Sequence, residues 1–472
     1  MQRGGGVQTS KKLLAALAVM AVAFVVLAAV PSVAADEPAY GKLTVKFGDQ
    51  YASVDESGVM SLVASAGDAT QFGTMQDALY FVNHFDTASE ANQKYAGLAV
   101  TIVCPENSAI NFKTVGDHWV TVMKSVTIEG NGSYAMTNGK YGGHFTVDTY
   151  SYDETNAKYA GLLTAGKETK LVIKNLNDFG VWGQRTTEDA IFTLEMEGCN
   201  IGTDDGKALS DGEGKAVYLS GANGINNITL KECNFGTESR SCNVYSNADG
   251  AVVIEECIFD GRTQAICINN EDATPELTVE IKNSTFTNCG EPRESEPREK
   301  TYAAPIKVSN RSTTGSVSLV VDGCNFDNPK SANGDIVIGE GRNASYDGDG
   351  RKVSDYVSGP VSVDVKNLGS GADIRFLTPG YYTVSGINGS TISEDSDAAK
   401  QLAIDAQKDA VIGSDGSEIT VSAGSATVSG TVPADMTISA SEDAKVDASG
   451  LVYVLQEVYV VDSTVDKDDP LN

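Results

Sequence analysis

Ile228-Thr-Leu-Lys-Glu-Cys-Asn-Phe235, Val253-Ile-Glu-Glu-Cys-Ile-Phe259, Val279-Glu-Ile-Lys-Asn-Ser-Thr-Phe286 and Leu319-Val-Val-Asp-Gly-Cys-Asn-Phe326 follow one pattern. Apolar residues alternate, two polar residues and a small one follow, then any residue and Phe. Thr193-Leu-Glu-Met-Glu-Gly-Cys-Asn-Ile201 is a fifth copy, with weaker ones at Val126-Thr-Ile-Glu-Gly-Asn131, Leu171-Val-Ile-Lys-Asn-Leu176 and Val363-Asp-Val-Lys-Asn-Leu368. The small position advances by 23 residues from Leu176 to Cys199 and by 24 from Cys233 to Cys257. That is the length of one solenoid coil built from three short strands and three corners of about seven to eight residues each. Longer intervals are a coil plus a loop, or two coils.

A second strand recurs between the copies, in Ala216-Val-Tyr-Leu-Ser220, Cys242-Asn-Val-Tyr-Ser246, Ala265-Ile-Cys-Ile-Asn269, Pro305-Ile-Lys-Val-Ser309 and Asp335-Ile-Val-Ile-Gly339. Equivalent residues of adjacent coils stack about 4.8 Å apart, so like side chains form ladders. The column of Asn131, Leu176, Cys199, Cys233, Cys257, Ser284, Cys324 and Leu368 reads as an interior ladder at a tight bend. Parallel stacking sets neighbouring Cβ atoms wider apart than the ~3.8 Å a disulfide prefers, so buried thiols are expected despite eight cysteines in an exported chain.

Stacked coils expose strand edges at their ends unless capped. Thr74-Met-Gln-Asp-Ala-Leu-Tyr-Phe-Val82 supplies a cap, because Met75, Ala78, Leu79 and Val82 fall on one helical face. Leu98–Val103 and Trp119–Val122 are then the first strands leading into Val126. The expected fold is all-β, a right-handed parallel β-helix with an N-terminal helix and strand cap and a short β-rich C-terminal module. The divisions are residues 1–35 as signal peptide, 36–125 as N-terminal strands and capping helix, 126–370 as β-helix, and 371–472 as C-terminal module.

These features, with Ser125-Val-Thr-Ile-Glu-Gly130, resemble the right-handed β-helix proteins of the pectate-lyase-like superfamily, its adhesin-like surface proteins in particular, over roughly residues 70–370. The resemblance implies fold more than activity. Polygalacturonase-like members carry Gly-His-Gly and Arg-Ile-Lys with several carboxylates, whereas the three histidines here, His84, His118 and His144, all precede the clear repeats and no Arg-Ile-Lys occurs. Thr203-Asp204-Asp205 is the nearest echo, and it also reads as a Gly-flanked turn. Pectate lyases use Asp-bound calcium with an Arg or Lys base; no Arg sits in a matching strand motif. Arg293 and Arg298 belong to the duplicated Glu-Pro-Arg-Glu of 291–299, a solvated loop of compensating charges.

Lys plus Arg number 35 against 64 Asp plus Glu, a formal charge of −29. Such a surface repels polyanions, which excludes nucleic acid as a partner and suits solubility and cation binding. Lys11 and Lys12 precede an apolar run from Leu13 to Val30, then Pro31-Ser32-Val33-Ala34-Ala35, a secretory layout with cleavage before Asp36. The run is also just long enough for an uncleaved anchor, the one expected membrane contact. The expected location is extracellular or cell surface.

Loops at 141–161, 291–303 and 341–358 exceed a bare coil and hold Tyr141, Tyr150, Tyr152, Tyr159 and Tyr346, residues suited to sugar stacking or protein contact. Asp347-Gly-Asp349-Gly350 resembles half of a calcium loop, which makes Asp347 and Asp349 the candidate metal ligands and calcium the one cofactor to consider; a plain Asp-Gly turn is the competing reading. The chain is therefore expected to be a non-catalytic, adhesin-like protein that contacts surface glycans or host or neighbouring-cell proteins. The alternatives are an extracellular polysaccharide lyase or glycoside hydrolase, and a structural protein of the cell envelope.

Overall fold

The computed structural model describes residues 39–112, 119–137, 140–147, 168–184, 190–202, 216–220, 224–236, 242–246, 250–261, 263–270, 276–292, 302–312, 315–331, 333–339, 358–368, 372, 374–376, 380–385, 401–406, 410–412, 418–421, 424–433, 437–440, 442 and 444–454. Period-two alternation dictates the long strands. In Glu168–Lys174, Thr169, Leu171 and Ile173 are buried while Glu168, Lys170 and Lys174 face solvent. Such strands stack into a first sheet of sixteen strands and a second of twelve; the x-Phe pieces form a third of five, and a fourth sheet has three. The chain visits the first, third and second sheets in turn: Gly224–Lys231, then Asn234–Phe235, then Cys242–Ser246, then back to Gly250–Glu255. The first sheet is parallel from Val100–Val103 to Gly380–Ser385, the arrangement an all-β solenoid requires.

Register turns the repeat into ladders. Val126, Leu171, Leu194, Ile228, Val252, Val279, Leu319 and Val363 stand in one column, all buried. Phe235, Phe259, Phe286 and Phe326 stack in another, with ring centroids 4.9, 5.1 and 5.2 Å apart and planes within 4° to 13°. Asn side chains link the third sheet outside that stack: Asn200 Nδ2 donates to Asn177 Oδ1 at 3.1 Å, and Asn234 Nδ2 to Asn200 Oδ1 at 2.6 Å.

The corner before each small residue requires left-handed backbone. Asn175, Gly198, Glu232, Glu256, Asn283, Gly323 and Asn367 have φ between 48° and 65° and direct the next side chain inward. Leu176, Cys199, Cys233, Cys257, Ser284 and Cys324 are buried as a result, and Leu368 is half-buried. The first copy departs from the expected alignment. Asn131 itself is left-handed, at φ 52°, and exposed, so it is no interior rung. Gly130 lies beneath the next coil, where a Cβ would stand 2.4 Å from the Asn175 carbonyl oxygen, and the turn is delayed by one residue.

The N-terminal cap forms on helix α1, Met75–Ala88, whose Thr74 hydroxyl accepts from the Asp77 amide at 3.0 Å. Met75, Ala78, Leu79, Val82 and Phe85 are buried, with Phe85 4.6 Å from Phe47. Asn83 ties the helix to the opening of the second sheet, donating to the Thr121 carbonyl at 2.9 Å and accepting from the Met123 amide at 3.1 Å. Thr44–Phe47, Gln50–Val54 and Met60–Val63 add three antiparallel strands to the first sheet's leading edge. Beyond residue 371, Ile374–Phe376 and Gly380–Ser385 continue the second and first sheets in parallel. Gln401–Ala406 and Ala410–Ile412 then join antiparallel, and the sheets end on Ala444–Val454 and Thr437–Ala440.

Candidate functional site

The outer faces of the two long sheets differ in chemistry. On the first, the last outward position of each strand forms a column of Glu129, Lys174, Glu197, Lys231, Glu255, Lys282, Asp322 and Lys366, alternating in sign at every rung. Lys174 Nζ lies 2.9 Å from Glu197; that hydrogen bond and charge hold Lys174 above the usual lysine range and Glu197 below the usual carboxylate range. This column neutralises itself.

On the second sheet, Val181, Val217, Val244, Ile266, Ile306, Ile336 and Ile374 form the inward column. The residue after each points outward: Trp182, Tyr218, Tyr245, Cys267, Lys307, Val337 and Arg375. Trp182 and Tyr218 lie 4.5 Å apart, and Tyr218 and Tyr245 4.9 Å apart with planes 18° from parallel. Trp119 reaches this stripe from the first rung, 4.7 Å from Trp182 and 5.0 Å from the fully buried His144. Gly180 makes the room, since a Cβ there would stand 2.4 Å from the His144 ring.

The stripe then turns polar. Tyr245 Oη accepts from Asn269 Nδ2 at 3.4 Å, while Asn269 Oδ1 accepts from Lys307 Nζ at 3.3 Å and from Ser309 Oγ at 2.5 Å. Lys307 Nζ also sits 5.7 Å from the Tyr302 ring centroid, and Arg375 donates to Asn333 Oδ1 at 2.9 Å. Although they point outward, Lys307 is only 5 % exposed, Cys267 5 % and Val337 0 %, so this half of the face is covered.

No family model, curated protein or solved structure matches this chain. The site is therefore read from its own chemistry. Because Tyr218 and Tyr245 turn their ring faces to each other, their rings stack on one another rather than forming a flat platform for a partner. In the chain, residues 148–167 follow His144–Thr146, 203–215 precede Val217–Ser220, 293–301 precede Ile306–Asn310 and 340–357 follow Ile336–Ile338, and all four segments lie outside the described residues.

Of the residues singled out by sequence, Tyr141 lies in the short strand Lys140–Tyr141, paired antiparallel with Tyr134–Thr137. Tyr150, Tyr152, Tyr159, Tyr346, Asp347, Asp349, Asp204, Asp205, Arg293 and Arg298 lie outside the described residues, as do residues 1–35, expected to be a signal peptide. Among the described residues, no group of three or more His, Cys, Asp or Glu side chains is placed to hold a metal ion, and no helix is long and apolar enough to cross a membrane. Sequence reasoning passed over Trp182, Tyr218, Tyr245 and Lys307. The signal was present in part: Tyr218 and Lys307 occupy the same position between apolar residues of the second-strand copies, and Tyr245 likewise follows an apolar residue, Val244.

Proposed function

We propose that the chain is an exported, right-handed parallel β-helix of the pectate-lyase-like kind that acts as a non-catalytic, adhesin-like contact protein. It contacts surface glycans or proteins of a host or neighbouring cell through the outer face of the second sheet and the inserted loops. The carrying observation is the contrast between the faces: the first is a self-neutralised charge column, whereas the second carries the aromatic stripe of Trp182, Tyr218 and Tyr245. Aromatic residues with hydroxyls are the side chains contact surfaces favour.

Glycan-array and cell-binding measurements test the reading with the purified protein and a Trp182→Ala/Tyr218→Ser variant, with and without calcium. Binding by the parent that drops at least tenfold in a variant with unchanged circular dichroism supports it. New reducing ends or unsaturated products from acidic or neutral polysaccharides would replace it with the lyase or hydrolase alternative. Equal binding by both proteins would move the contact surface elsewhere.

A further inference from the structure

Three cysteines occupy consecutive rungs of the interior column. Glu197, Lys231 and Glu255 pair in register, and the chain turns inward two residues later in each coil, which places Cys199, Cys233 and Cys257 above one another. All three are thiols at 0 to 1 % exposure. The trio is bounded, because Leu176 occupies the rung before it and Ser284, whose hydroxyl accepts from the Cys257 amide at 3.1 Å, the rung after. Cys324 lies beyond Ser284 and is isolated from the trio.

The rung spacing of about 4.8 Å falls within the Cα separations of disulfides, roughly 4.4–6.8 Å, and closing the bond needs the Cβ atoms to draw together by under about 1 Å. Two rungs, nearly 10 Å, lie beyond reach. Cys233 is thus the only member with a partner on either side. Each thiol donates to the carbonyl two residues before it, Cys199 to Glu197 at 3.5 Å, Cys233 to Lys231 at 3.3 Å and Cys257 to Glu255 at 3.3 Å, and the two flanking thiols hold Cys233 below the usual thiol range. Burial, then the neighbouring Cys233, raises Cys199; the neighbouring Cys233, then burial, raises Cys257.

We propose that Cys199, Cys233 and Cys257 form a redox-active thiol column in which a two-electron thiol oxidant joins Cys233 to one neighbour or the other and always leaves one thiol. Two S–H bonds break and one S–S bond forms, with two protons and two electrons passing to the oxidant. These coils lead into the strands that carry Tyr218, Tyr245 and Cys267, so the bridge clamps the candidate contact face from within.

The test is treatment of the folded protein with an azodicarboxamide oxidant, which is reduced to its hydrazine, followed by peptide mapping without reductant. The expected products are Cys199–Cys233 and Cys233–Cys257 cross-links, each with the loss of two hydrogens, with Cys324 still alkylatable. Cys233→Ser should retain the parent circular dichroism and lose every cross-link within the column, whereas Ser284→Cys should bring Cys324 into the set. A Cys199–Cys257 cross-link, or a Cys233 thiol that survives the oxidant in the folded parent, overturns the proposal. Should Cys233→Ser fail to fold, the Ser284→Cys arm alone decides, since Cys324 must then join the ladder.

Discussion

At the residue scale the corner preceding each inward small residue is the most constrained position in the coil. Five of the seven left-handed corners carry Asn or Gly, the residues that tolerate that conformation, but two carry Glu232 and Glu256, at φ 52° and 54°. The Glu256 side chain is exposed and its replacement removes no packing. Glu256→Asn should therefore raise stability by about 0.5–1 kcal/mol, read as a higher urea midpoint at unchanged slope; a lower midpoint would mean the glutamate makes a compensating contact. Buried thiols give a pH signature. Burial pushes Cys104 from 9.0 up to about 12 and Cys324 up to about 11. The folded chain keeps these protons where the unfolded chain has released them, so their contribution is fully present below pH 9 and is lost as pH rises toward 12. Melting temperature should fall over that window, and less steeply in Cys104→Ala; identical slopes would remove Cys104 as a cause.

At the scale of the element, register decides which neighbours a side chain has, and the charge column of the first sheet is where this is most visible. A slip of one coil would leave the hydrophobic columns nearly intact but set Glu over Glu and Lys over Lys, so the alternation opposes misregistered stacking. Lys282 stands between Glu255 and Asp322 and lies 2.6 Å from Glu280. Lys282→Glu should cost on the order of 1 kcal/mol at low ionic strength, with most of the loss recovered near 1 M salt; a salt-independent loss would point to packing of the lysine stem instead. The Phe column contributes through contact rather than charge. Phe259, buried between Phe235 and Phe286, should cost roughly 3–5 kcal/mol as Phe259→Ala. A loss below about 1 kcal/mol in chemical denaturation would show that the neighbouring rings collapse into the gap.

For the whole molecule the chief problem is the ends, because each coil is stabilised by the coils above and below it. Helix α1 and the antiparallel strands at 44–63 close the N-terminal end, and a chain beginning after residue 96 would bare both the Val100–Val103 edge and the apolar surface beneath Leu79 and Val82. That truncation should self-associate in size-exclusion chromatography; a monomeric product would show that the cap is dispensable. Much of this was legible in the chain itself: the period of 23 to 24 residues, the inward Cys and Phe positions and the buried face of α1 all follow from side-chain patterns that repeat wherever the backbone repeats. The left-handed Glu232 and Glu256 were not, because propensity argues for Asn or Gly there and only the neighbouring coils hold the glutamates in place. The outward stripe was half legible, since Tyr218 and Tyr245 align as readily as the cysteines do. That Trp119 reaches Trp182, that Gly180 makes room for His144 and that Lys307 is covered are outcomes of coils meeting across dozens of residues of chain. Sequence by itself determined which residues face inward, because alternation along a strand is a local property. Which outward residues meet, and which of them remain open to a partner, only the tertiary structure decided, because those contacts depend on how coils distant in the chain stack on one another.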